Sequence, residues 1–121
     1  MSVRSLLLAV FAAVTLAACG SSSSSTVTGP TTNGPSVTIV SGAQTLTTTA
    51  YSPNPMTVSV GTTVKWVNND STSHTATANG GAFTTGTIAP GQSGSAQFNT
   101  AGSFAYHCSF HPNMVATINV Q

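Results

Sequence analysis

Between residues 56 and 68, apolar and polar side chains alternate. Met56, Val58 and Val60 are separated by Thr57 and Ser59, and beyond Gly61 the pair Val64 and Trp66 falls opposite Lys65. A period of two marks a strand with one buried face, so strands are predicted over residues 56–60 and 62–68. Val37, Ile39 and Val40 mark a short apolar strand, and residues 46–51 read as a Thr-rich one. A further short strand is predicted over residues 74–78, broken by Gly80 and Gly81. Ala89-Pro90-Gly91-Gln92 is a turn. It is followed by a polar strand over residues 93–99, with Ala96 and Phe98 facing one way. Gly102 opens a strand in which Phe104, Tyr106 and Cys108 share a face, and residues 114–120 form the last. No helical period is sustained beyond the N-terminal segment and no internal repeat is evident. Seven or eight short strands in about 85 residues predict an all-β sandwich. A domain of this size buries about 60–65 % of its unfolded surface, enough to fold alone with a modest margin.

The first third of the chain follows different rules. Arg4 supplies a positive start, residues 6–16 are apolar, and small residues follow, as in a secretory signal. The apolar run is too short to span a bilayer. Leu16-Ala17-Ala18-Cys19 resembles the lipobox of bacterial lipoproteins, which implies an acylated Cys19 as the mature N-terminus; the alternative is an ordinary signal with a coincidental Cys. Residues 20–36 are Ser, Thr, Gly, Pro and Asn with almost nothing apolar, which cannot offset the entropy of ordering. As a flexible coil this linker reaches roughly 20–25 Å. The expected organisation is a signal over residues 1–18, a lipidated Cys19 with its tether over 19–36, and one domain over 37–121.

Charge narrows the function. Of the two basic and one acidic side chains, Arg4 leaves with the signal, so Lys65 and Asp70 remain. No basic patch exists for nucleic acid and no acidic face for a cationic partner. Docking is expected to be short-range and weakly salt-dependent. With a single acidic side chain, nothing suggests substrate catalysis, and the chain is not expected to be an enzyme.

The candidate chemistry lies near the C-terminus. Cys108, His111 and Met114 fall within seven positions, and His74 offers a second imidazole upstream. With Cys19 lipidated, Cys108 is a lone thiol in an oxidising compartment, where ligation would protect it. Two imidazoles, a thiolate and a weak thioether are the donor set of a mononuclear electron-transfer copper site; softer donors favour copper, which also binds more tightly than zinc in the divalent series. Each donor has a plainer alternative: Cys108 and Met114 as core residues, His111 and His74 as solvated loop residues. Met56 alternates with Val58 and Val60 and belongs to the core. His107 precedes Cys108 on a strand, points to the opposite face and is not counted as a donor.

These residues carry a resemblance. The pattern from Met56 through Val58, Val60, Gly61, Val64, Trp66, Asn68 and Asp70 to His74 is similar to the core strands and first histidine of the cupredoxins. Ala89-Pro90-Gly91-Gln92-Ser93, Phe98, Gly102, Tyr106 and Cys108 resemble that family's approach to its ligand loop. Cys108, His111 and Met114 match the short amicyanin-like spacing within the plastocyanin and amicyanin branch. The resemblance implies a Greek-key β-sandwich or barrel of seven to eight strands and one type 1 copper held by His74, Cys108 and His111 with Met114 axial. It also implies electron exchange with redox partner proteins through an apolar patch around His111, in a monomer. Three positions depart from the pattern: Thr75 stands where an Asn bracing the ligand loops is common, Phe110 where Pro is common, and Ala116 where Gly is frequent.

The expected function is single-electron transfer by Cu(I)/Cu(II) cycling in the cell envelope, anchored to a membrane through lipid on Cys19. Gly20 lacks the charge that favours inner-membrane retention, which weakly prefers an outer-membrane address in a Gram-negative host. The alternatives are a copper-holding or delivery protein without redox traffic and a metal-free adhesion sandwich on a Ser/Thr stalk.

Overall fold

A computed structural model describes residues 34–121. The expected signal, Cys19 and most of the expected tether lie outside these residues. Among the described residues there are eight strands: β1 (Ser36–Ile39), β2 (Tyr51–Ser52), β3 (Met56–Val58), β4 (Thr62–Asn68), β5 (Thr77–Ala78), β6 (Ser93–Phe98), β7 (Gly102–His107) and β8 (Val115–Val120). They form two four-stranded sheets, ordered β2-β1-β4-β6 and β3-β8-β7-β5. Along the chain β3, β4, β5 and β6 alternate between the sheets, so the two layers are laced together and share one core. β1–β4 and β3–β8 are parallel pairs, and the remaining pairs are antiparallel. The all-β sandwich of the sequence reading is the fold found.

The alternation seen in the sequence decides which face each strand buries. In β4, Val64, Trp66 and Asn68 point inward and Lys65 outward; in β8, Ala116, Ile118 and Val120 are buried. Trp66 occupies the centre, stacked on Phe83 at 5.6 Å between ring centres and edge-on to Tyr106 at 5.7 Å. Its indole N–H donates to the Tyr106 hydroxyl at 3.3 Å, which satisfies the polar edge of a fully buried ring. The Tyr51 ring packs edge-on to Tyr106, and its hydroxyl donates to the Thr75 carbonyl. Gly94, opposite Trp66 in the β4–β6 register, has to be glycine. A Cβ there would lie 2.9 Å from the Cβ of Thr85 and 3.2 Å from Ile88, in the loop that crosses β6.

Three expectations are corrected. Residues 46–51 are not a strand. A 3-10 turn runs over Ala43–Thr45, the chain continues in turns, and only Tyr51 joins β2. The Thr run reads as strand by its branched side chains, but its backbone bonds locally: Leu46 N–H donates to Ala43, and Ala50 N–H to Thr47. Val60 does not extend β3. It is half exposed, in the turn where its N–H donates to the Gln121 carbonyl at 3.1 Å. At its start β1 reaches one residue into the expected tether, because Ser36 pairs with Lys65.

Burial pushes both phenols above the ordinary tyrosine value, and for Tyr51 the adjacent Cys108 adds to the shift. The folded metal-free protein therefore keeps both phenolic protons at pH values where an unfolded chain loses them. Their contribution to stability is complete below about pH 10 and declines as pH rises beyond it. Tyrosinate absorbance should accordingly appear together with loss of the sheet circular-dichroism signal. Ionisation of both tyrosines near pH 10 with the sheet signal intact would contradict this burial.

Candidate metal centre

Two loops at one pole of the sandwich carry the donors. The first leaves β4 at Asn68, whose side chain is fully buried and acts as a clasp. Its amide N–H groups donate to the carbonyls of Thr72 at 2.7 Å and Ile88 at 2.9 Å, while its side-chain oxygen accepts from Asp70 N–H at 2.9 Å. His74 follows in a two-way backbone bridge to Ile88, with N···O distances of 3.1 and 2.7 Å. The loop is thereby tied both to itself and to the chain entering β6, and the His74 ring is fully buried.

The second loop joins β7 to β8. Cys108 N–H donates to the Met114 carbonyl at 3.1 Å, His111 N–H to Cys108 at 3.3 Å, and Met114 N–H to His111 at 2.9 Å. These three bonds fold residues 108–114 into a closed double turn, which brings positions three apart to the same end. Cys108 and Met114 are fully buried and His111 is half-buried.

The loops meet at the Cys108 sulfur. It lies 3.6 Å from His74 Nδ1 and 3.7 Å from His111 Nδ1, and donor atoms of all three residues fall within 4.8 Å of one another. Atoms bonded to a shared ion at about 2.0–2.3 Å, with angles of about 110–120°, stand roughly 3.5–3.8 Å apart. The observed S···N separations fit that requirement. Both imidazoles present Nδ1 to the sulfur, leaving Nε2 for other contacts.

Thr75 joins the two loops. Its N–H points at the Cys108 sulfur at 3.4 Å, and its hydroxyl accepts from Ser109 N–H at 2.9 Å. The same hydroxyl lies 3.0 Å from that of Thr77 and donates to that of Ser109 at 3.2 Å. A cross-loop brace is therefore present at the position that departs from the family pattern, made by a hydroxyl. His107 stays outside the cluster, with Nδ1 2.6 Å from the Asn79 side-chain oxygen.

Asp70 is the contact that sequence reasoning missed. Its buried carboxylate lies 2.8 Å from His74 Nε2 and accepts from Gly42 N–H at 2.9 Å, Ser71 N–H at 2.8 Å and the Thr72 hydroxyl at 3.0 Å. Burial alone would raise its pKa, but the donors, His74 first among them, outweigh that and hold it well below the usual carboxylate range. The ionised carboxylate can only accept, so the ring nitrogen it faces is the one suited to donate, while Nδ1 is the nitrogen turned toward Cys108. The available signal was the chain's sole acid four residues before a candidate donor, a spacing that has no periodic meaning in a loop.

The fold agrees with known proteins. A family described as a cupredoxin-like domain matches residues 6–120. This chain belongs to the cupredoxins. Plastocyanin from Scenedesmus fuscus is 34 % identical to it over 84 residues, 59 % of this chain and 86 % of that protein. The solved structure of a purple cupredoxin from Nitrosopumilus maritimus superposes with a TM-score of 0.66 at 31 % identity, covering 72 % of this chain and 99 % of that one. A methionine-to-alanine mutant of amicyanin in its Cu(I) state gives a TM-score of 0.60 at 25 % identity, covering 73 % of this cupredoxin and 82 % of its own chain.

Replacing Thr75 by Val keeps the shape of the brace and removes its hydroxyl, leaving Ser109 N–H without its partner. Denaturant unfolding of the metal-free variant should show a loss of about 1–2 kcal/mol with an unchanged slope. Wild-type stability would show that the hydroxyl does not bind the loops together.

Proposed function

We propose that this cupredoxin carries single electrons on one mononuclear type 1 copper, with His74 and His111 as Nδ1 donors, the Cys108 thiolate as the third strong ligand and Met114 as a weak axial one. The observation that carries the proposal is the convergence of the His74, Cys108 and His111 donor atoms within 4.8 Å at one pole. Copper supplies the Cu(I)/Cu(II) couple, and a soft sulfur beside two imidazoles suits both oxidation states. The protein's part is to hold the donors still. His74 is fixed by the Ile88 bridge and the Asp70 carboxylate, Cys108 and His111 by the double turn, and the two loops by Thr75. A donor set that cannot relax has little to rearrange when one electron arrives or leaves.

Burial of Cys108 and His74 argues for a retained ion over one handed to another protein, which would favour an open site. His111 is the half-buried member, flanked by exposed Phe110 and Pro112. This apolar rim is the proposed docking patch for redox partners, through which electrons would pass at the His111 edge. Lys65 lies on the outer face of β4 and Asp70 is buried, so little long-range steering is available. The chain is proposed to act as a carrier without catalysis, and as a monomer. Residues 1–18 would direct export, acylated Cys19 would anchor the chain in the cell envelope, and the residues between Cys19 and β1 would tether the domain.

Adding Cu(II) to the purified protein should produce an intense visible thiolate-to-copper band that is absent in Cys108→Ser. Met114→Leu should keep the band and raise the reduction potential. Protein that stays colourless and binds no copper would overturn the proposal, and complete loss of binding in Met114→Leu would give that residue another role. In a bacterial host, Cys19→Ser should move the protein from the membrane fraction to the soluble fraction. A wild-type chain that is already soluble would remove the anchor.

A further inference from the structure

We propose that Asp70 is a charged positioning residue for His74, fixing Nδ1 as the donor atom and biasing the site toward the more oxidised ion. The proposal rests on the copper reading for its second half only. Asp70 is the only carboxylate side chain in the sequence and is 5 % exposed. A buried charge is costly unless it is paired and hydrogen-bonded. Three of its bonds, from Gly42, Ser71 and Thr72, hold the carboxylate in place; the fourth, at 2.8 Å, goes to the ring nitrogen of His74 that faces away from Cys108. That contact is the only approach of an acidic side chain to a basic one within 4 Å among the described residues. Lys65 is exposed and does not reach the carboxylate, so the negative charge is spent on the imidazole.

Two effects follow. The acceptor-only carboxylate selects the Nε2–H tautomer and stops the ring from turning, as partners behind metal-ligating histidines do. The same charge, one ring away from the metal position and shielded from water, makes His74 a stronger donor and favours the higher positive charge of the ion. A neutral acceptor in its place would give the same orientation with less of that bias. Thr72 moderates the effect, because its hydroxyl shares the Oδ2 atom with His74.

Three measurements test the assignment. In the metal-free protein, a long-range 1H–15N imidazole spectrum should show His74 protonated at Nε2, with that preference lost in Asp70→Ala; a wild-type ring protonated at Nδ1 would overturn the orienting role. In the copper-loaded protein, Asp70→Asn should favour Cu(I) by tenfold or more, a rise of about 59 mV for a one-electron couple. Thr72→Val, which leaves Oδ2 to His74, should shift the potential the other way. An unchanged potential in Asp70→Asn, or a rise in Thr72→Val, would overturn the charge role. If the Asp70 variants do not fold, the wild-type spectrum and Thr72→Val still decide both halves. If the wild type takes up no copper, the carrier proposal fails and the tautomer measurement stands by itself.

Discussion

The donor cluster depends on one crossing point, Thr75. Its backbone N–H meets the Cys108 sulfur and its hydroxyl receives the N–H of Ser109, so two segments more than thirty residues apart share one set of bonds. Its carbonyl is held from below by the Tyr51 hydroxyl. Tyr51 packs on Tyr106, which accepts from Trp66. The pole is thus connected without a break to the aromatic centre of the sandwich, and the position of a sulfur atom is set by packing several layers beneath it. Close-packed interiors transmit such constraints because neighbouring side chains have no room to adjust independently.

This arrangement separates two tasks that a metal centre must combine. The strands provide a frame whose register cannot slip without turning Trp66 and Val64 toward solvent. The loops supply the chemistry, but they are short and each is closed by its own backbone bonds. Asn68 closes the first and the Cys108–Met114 double turn closes the second. No buried side-chain nitrogen or oxygen among the described residues lacks a partner, and for His74 Nδ1 that partner is the Cys108 sulfur at the meeting point of the two loops.

Much of this could be read from the sequence where one physical rule dominated. The alternation from Thr62 to Asn68 gave β4 with its bounds and its inward face, because a half-buried strand leaves a strict period of two. The Cys108 and His111 spacing pointed to the loop whose donor atoms converge with those of His74, because so few side chains in this chain carry any chemistry. The reading failed where local bonding competed with propensity. The Thr run over residues 46–51 has branched side chains suited to a strand, yet its carbonyls are taken by nearby N–H groups and by Val115. Asp70 and Asn68 belong to the family pattern, but their work depends on which atoms face which, and no spacing rule encodes that for an irregular loop.

The sheet borders carry a consequence of their own. A domain with one exposed cation cannot rely on rows of lysine to keep other copies from extending its sheets. Three of its four outer strands solve this by brevity: β2 and β5 have two residues and β3 has three. Only β6 presents an outer edge six residues long, and its sequence, Ser-Gly-Ser-Ala-Gln-Phe, is poor in the side chains that cross-β assembly favours. Resistance to fibril-like stacking is therefore written into strand length, in a molecule that has almost no charge with which to repel its neighbours.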